Sequence, residues 1–143
     1  MKRTALKRRK RPRRRSKARD LIEDLDTLVR MIVMIRDNFR CRRCGKYRLH
    51  GRASIQASHI YPKGQWPNLR HEVGNVIALC SGCHLFWWHR NPIEAAAWVE
   101  EQFGEKHLAH LRFLAQTRTK VDKQALKIAL ERQLHALQAQ ALR

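Results

Sequence analysis

The sequence predicts an α+β fold, a small core flanked by helices, and three observations carry that expectation. Apolar residues recur at three- and four-residue intervals near both ends of the 143-residue chain, the pattern of helices with one buried face. Residues 38–83 lack that period and are interrupted by Gly45, Gly51, Pro62, Gly64, Pro67 and Gly74, which suits short strands and loops. All four cysteines stand in two pairs, Cys41-Arg-Arg-Cys44 and Cys80-Ser-Gly-Cys83, at the borders of that middle region.

The first helix is expected over 20–37. Asp20-Leu-Ile-Glu23 has capping-box form, the Asp side chain accepting from a first-turn amide while Glu23 reaches back. Leu21, Leu25, Leu28, Ile32 and Ile35 then mark a stripe that Ile22, Val29 and Val33 broaden. A second start follows at Asn91-Pro92-Ile93-Glu94, with Asn as N-cap and Pro at the first helical position. Ala95, Trp98, Val99 and Phe103 face inward, Gly104 is placed to end the helix, and Leu108, Leu111 and Ala115 mark a further helical stretch to about 116. In the last segment, 117–143, Leu126, Leu130, Leu134, Leu137 and Ala141 form an amphipathic helix. Its stripe must cover the core or meet a partner chain, self-association included, because a helix of this length gains most of its stability from packing.

The cysteines fit either two disulfides or one tetrahedral thiolate site. The C-x-x-C spacing favours the metal, because each pair projects two sulfurs at one ion about 2.3 Å away. The 35 residues between Cys44 and Cys80 exceed the inter-pair segment of a DNA-reading finger, so something folded is inserted between the knuckles. The N-terminus is basic without the apolar stretch of a secretory leader, and no run approaches the roughly 20 apolar residues of a membrane span. A reducing cytoplasm is therefore expected, with structural zinc on Cys41, Cys44, Cys80 and Cys83 and no membrane partner.

Charge narrows the partner. The formal net charge is +19, and 12 of the 31 Lys and Arg fall within residues 2–19 with no acid among them. Arg8, Arg9, Lys10, Arg11, Arg13, Arg14 and Arg15 cannot bury apolar surface, so 1–19 reads as a disordered tail drawn to polyanions by release of their counterions. Nucleic acid is the expected partner, with no sequence preference implied. A solubilising arm, or one that binds RNA or anionic lipid, has the same composition.

Between the cysteine pairs lie the residues suited to chemistry. Ile55-Gln-Ala-Ser-His-Ile-Tyr61 reads as a strand holding His59 on one face, where a neutral imidazole can take a proton from water attacking a phosphodiester. Asn75, 16 positions later, is either a turn residue after Gly74 or an amide that fixes the loop and the base. His84 directly follows Cys83, where a knuckle turns into a helix, so it can hold a second, divalent ion or simply neighbour the zinc. Lys63 and Arg70 are within reach of backbone phosphate or are solvated loop charges, and Trp66, Trp87 and Trp88 stack on bases or pack the core.

This combination resembles the HNH endonucleases of the His-Me finger (ββα-metal) superfamily, in their C-x-x-C variety. The stretches that carry the likeness are Cys41-Arg-Arg-Cys44, Ala57-Ser-His-Ile60, Asn75-Val-Ile-Ala-Leu79 and Cys80-Ser-Gly-Cys-His84. Trp87-Trp88-His89-Arg-Asn-Pro-Ile-Glu-Ala95 and Phe103-Gly104 are similar to small phage-encoded members, some of them NinG-type recombination factors. The resemblance covers roughly 38–115, and 38–116 is the expected nuclease domain.

What the resemblance implies is a zinc-stabilised two-stranded hairpin bearing His59 and a following helix bearing His84, clamping a divalent ion such as Mg2+ against the scissile phosphate. His59 would be the general base, His84 a metal ligand and Asn75 the residue that orients the site. The implied function is a metal-dependent DNA endonuclease or nickase acting on duplex or branched DNA in a bacterial host cell. Many members place Asp before the first His, whereas this chain has Ser58, a weak neutral ligand; His89 and His71 are further candidates for the ion. The competing class is a noncatalytic zinc protein that binds DNA junctions or RNA, and a third reading is an assembly or packaging factor docking through its last helix.

Overall fold

The structure, a computed structural model, describes residues 16–47 and 55–141. The basic residues Arg8 to Arg15 and the expected disordered tail lie outside the described residues up to position 15. Three long helices surround a two-stranded antiparallel sheet: α1 (Lys17–Arg36), β1 (Ile55–His59), β2 (Val76–Cys80), α2 (Pro92–Thr117) and α3 (Lys123–Ala141). This is the expected α+β arrangement, with the sheet set between helices.

The first helix starts earlier than its sequence suggests. Ser16 is the N-cap, with extended backbone and no side-chain hydrogen bond, and its carbonyl accepts from the Arg19 and Asp20 amides at 2.9 and 3.1 Å. The expected capping box at Asp20 and Glu23 therefore does not form. Lys17 to Arg19 are helical, and Asp20 sits inside the first turn, where its charge favours the positive end of the helix. The predicted stripe is otherwise in place, with Leu25, Val29, Ile32 and Val33 buried and Leu21, Leu28 and Ile35 packed beside them.

At its other end α1 is tied to the sheet. Arg36 pairs with Asp37 through two 2.8 Å bonds and donates to the carbonyls of Val73 and Val76, and Asp37 accepts from the Ala78 amide at 3.1 Å. Such charge-assisted, bidentate geometry fixes the orientation of helix against strand. β2 is buried along its whole length, which is why Val76-Ile-Ala-Leu-Cys80 reads as an unbroken apolar run rather than an alternating one. The strands pair from Ile55 opposite Cys80 to His59 opposite Val76.

α3 packs along α1, with Leu130 and Leu134 buried and Leu126 and Leu137 against the same core. Its stripe thus covers the chain's own helix. Each fully buried leucine contributes about 1.5–3 kcal/mol relative to exposure. Asp122 caps this helix, its carboxylate accepting from the amides of Gln124 and Ala125. Asn91 occupies the N-cap position of α2 but makes no side-chain cap bond. Gly104, at φ 77° and ψ 162°, bends α2 where the sequence placed an end, and the second half folds back. There Leu111 and Ala115 meet Leu69, Tyr61 and Trp66 in a smaller cluster, and His107 Nε2 donates to the Gly74 carbonyl at 2.8 Å.

Candidate functional site

Two sets of side chains converge around β2. The first is the cysteines. The four sulfurs lie within 4.8 Å of one another, and Cys44 and Cys80 are 3.7 Å apart, close to the edge of about 3.8 Å that a tetrahedron with 2.3 Å zinc–sulfur bonds requires. Backbone amides support the cluster: Cys83 N donates to Cys80 Sγ, and the first knuckle is tied to β2 by Arg42 N donating to the Ala78 carbonyl at 2.8 Å. Burial pushes the Cys83 thiol up to about 12, opposed by a contact from Arg43. Burial also acts against ionisation of the exposed Cys44, but the Lys46 amide and the neighbouring thiols bring it down to about 7. Four sulfurs and no disulfide among them make a site fit for structural zinc.

The second set is the histidines. His59 ends β1, and its Nε2 donates to the Arg70 carbonyl at 2.9 Å. A carbonyl only accepts, so this bond assigns the proton to Nε2 and leaves the Nδ1 lone pair free. Burial holds the imidazole below its ordinary value; the Arg70 carbonyl opposes that shift and Lys63 adds to it. The ring is therefore neutral near pH 7.

Arg70 is held in turn. Its guanidinium grips Asp26 of α1 with two bonds of 2.9 and 2.6 Å, and His71 Nε2 shares the same carboxylate at 2.9 Å. Burial opposes ionisation of Asp26, yet the bonds and charges from Arg70 and His71 outweigh it and keep the carboxyl below its ordinary value. The Arg70 guanidinium, part-exposed and lining the smaller cavity, is thus engaged in an ion pair with Asp26, and His71 is buried against the same carboxylate.

Asn75 has 0 % exposure, and its amide is fully used. Oδ1 accepts from the Tyr61 amide at 2.7 Å, and Nδ2 donates to the carbonyls of Tyr61 and Leu69 at 3.0 Å each. It clips both ends of the loop that brings Arg70 back to His59.

His84 lies in a π-helical turn, Cys83–Trp88, that directly follows the second cysteine pair. Its Nδ1 donates to the Gln56 amide oxygen at 2.6 Å, and its Nε2 faces His89 Nε2 at 3.0 Å. The widened turn, with His89 N bonded to the His84 carbonyl at 3.3 Å, puts residues five apart on one side. Two imidazole nitrogens bound at about 2.1 Å to one ion and at right angles to each other would stand about 3.0 Å apart, so the pair fits a divalent cation. Burial, then the charges of His89 and His59, hold His84 below its ordinary value.

Ser58 differs. It is 1 % exposed, its Oγ has no hydrogen-bond partner among the described residues, and it lines neither cavity at the histidines. His59 and His84 line both cavities, of about 700 and 330 Å3, and His89 lines the larger. Trp87 and Trp98 meet edge to face at 5.5 Å, and Trp66 packs on Tyr61 at 5.1 Å, so these rings build the core. Two residues escaped the sequence reading. Gln56 carried a readable signal, lying on the same strand as His59; Asp26 had none, being separated from Arg70 by 44 positions.

With this geometry the comparison with known families is decisive for the middle of the chain. Residues 41–85 match the family model of the HNH endonucleases. The matched HNH segment holds both cysteine pairs, His59, Asn75 and His84, and the sulfur cluster makes it the zinc-stabilised type. Neither the curated proteins nor the solved structures contain a match to the chain. The match suggests a nuclease or nucleic-acid-binding role for the HNH segment, against which parts of α1 and α2 pack. Among the described residues no helix is long and apolar enough to cross a membrane.

Proposed function

We propose that this protein is a metal-dependent DNA endonuclease or nickase whose general base is His59. The observation that carries the reading is the pairing of His59 Nε2 with the Arg70 carbonyl, which leaves Nδ1 unprotonated on a neutral ring that lines a cavity together with His84 and His89. His59 Nδ1 takes the proton from water as its oxygen attacks phosphorus, the P–O bond to the leaving deoxyribose oxygen breaks, and that oxygen takes a proton from solvent. Asn75 and Arg70 keep the ring in place through the loop they hold, and neither needs to touch the substrate. Asp26 anchors that loop to α1.

His84 and His89 would hold a divalent ion, with Gln56 retaining the Nδ1 proton of His84 so that Nε2 is free to bind. When bound, the ion supplies charge to the phosphate and the leaving oxygen. Two imidazoles are a poorer set for Mg2+ and Mn2+, which favour oxygen and would be held together with water and phosphate, than for Ni2+ or Zn2+. The basic residues 1–19 would hold the polymer, and residues 38–116 would act as the nuclease unit.

Nicking of supercoiled plasmid with Mn2+ or Mg2+, against a control with EDTA in slight excess over the added ion, tests the reading. Cleavage should depend on the ion and be lost in His59→Ala while zinc content and DNA binding persist. Binding without cleavage under every ion would instead make the protein a noncatalytic DNA binder.

A further inference from the structure

The larger cavity is more than a proton-transfer site needs. Its volume of about 700 Å3 lies in the roughly 300–1,000 Å3 range that encloses a whole organic ligand, whereas a phosphate and a water occupy only its histidine end. Away from His59, His84 and His89 the walls are carbon: Ala96 and Val99 from the first half of α2, Leu108 from the second, and Pro62, Tyr61 and Trp88 opposite. The bend at Gly104 makes this possible, because it turns both halves of α2 onto the same space. The charged residues that line it, the histidines aside, are Lys63 and Arg112, and no carboxylate does. Arg112 meets Glu105 at 3.4 Å in an exposed pair, which a polyanion can displace at little cost.

An apolar chamber with basic groups, opening beside residues suited to phosphodiester hydrolysis, matches one ligand chemistry. We propose that it receives an unstacked nucleobase of the strand being cut, next to the scissile phosphate. This rests on the nuclease reading above and adds a substrate class to it. A base inside a duplex must be unpaired and unstacked before it can enter such a pocket, and that cost is smallest where the nucleotide is already unpaired. Two aromatic residues, Tyr61 and Trp88, line the wall, and stacking on an aromatic ring tolerates any base, so the selection is for structure rather than sequence. The preferred DNA therefore carries an unpaired nucleotide beside the cut, as a bulge, flap or single strand does.

Cleavage of a perfect duplex and of the same duplex with one unpaired nucleotide, compared under Mn2+, tests this. The unpaired substrate should be cut about tenfold faster or more, at the bond beside the extra nucleotide. Ala96 is exposed on α2, so Ala96→Trp fills the chamber without disturbing the core, and it should bring the ratio toward one. A second arm needs no cleavage. His59→Ala protein without added divalent ion is mixed with DNA carrying 2-aminopurine as the unpaired nucleotide, and the emission should change several-fold on binding. The change should be absent when Ala96→Trp is added. If no DNA is cut under any ion, the nuclease reading fails while this second arm still decides the pocket. A wild-type ratio near one, or a ratio and an emission change that Ala96→Trp leaves intact, overturns the proposal.

Discussion

Cys83 and His84 are adjacent in sequence, yet they belong to regions built on opposite principles. The thiol corner is closed upon itself: four sulfurs from two short knuckles converge within 4.8 Å, and their support comes from the knuckles and the strand between them. The histidine corner is held from a distance. His59 rests on the Arg70 carbonyl, Arg70 on Asp26 of α1, the loop on Asn75, and His84 on Gln56. A site that only holds structure can be compact and self-sufficient. One that must leave a nitrogen free has to recruit neighbours to occupy the other.

The largest effect should come from the closed corner. Cys80→Ser removes one thiolate from a site whose zinc contributes on the order of 10 kcal/mol or more to folding. The variant should lose zinc by metal analysis and its cooperative melt, and with them every function. Retention of a sharp melt without zinc would show that the helices alone hold the fold and would erase the contrast.

The second effect separates the corners. His59→Ala should cut the cleavage rate by about 10²–10⁴-fold, the range for loss of a general base, with zinc content unchanged and only a modest fall in melting temperature from the lost bond to the Arg70 carbonyl. Asn75→Ala tests the join between them. It leaves a Tyr61 amide and two carbonyls without partners in a buried place, which should cost about 2–5 kcal/mol and lower cleavage as well, while zinc stays bound. Loss of stability alone, with cleavage per folded molecule unchanged, would make Asn75 a fold residue and nothing more.

These differences explain what could be read in advance. The cysteine cluster was legible because its meaning lies in two short spacings, and the three helices because apolar periodicity is local. The beginning of α1 was not, since Ser16 caps through its backbone carbonyl and leaves no side-chain signature, while Asp20 and Glu23 imitate one. Arg70 was legible as a cation between the cysteine pairs but not as the residue whose carbonyl bonds His59, because its partner Asp26 stands on another element. His89 was one candidate among several for the ion. Only the π-helical turn, which no residue pattern announces, sets it against His84.

The smallest effect, and the one that best tests remote support, is on pH dependence. Burial is the main reason His59 titrates below its ordinary value of 6.5; among nearby groups Asp26 and the Arg70 carbonyl raise it, and Lys63 and the Arg70 guanidinium lower it. Cleavage requires the neutral ring, so the rate should fall on the acid side as pH drops through that lowered value, and stay flat between there and neutrality. Replacing Asp26 by Asn removes a negative charge that favours the protonated ring, so the acid limb should move to lower pH. The maximal rate should also drop several-fold, as Arg70 loses its charged anchor. Lys63→Met removes a positive charge and should move the limb the other way. Proton NMR of the His59 ring, followed against pH in each variant, reads the same shifts without turnover. Limbs that move together, or not at all, would mean that α1 carries the loop without acting on the base through its charge, and the histidine corner would then be as self-contained as the thiol one.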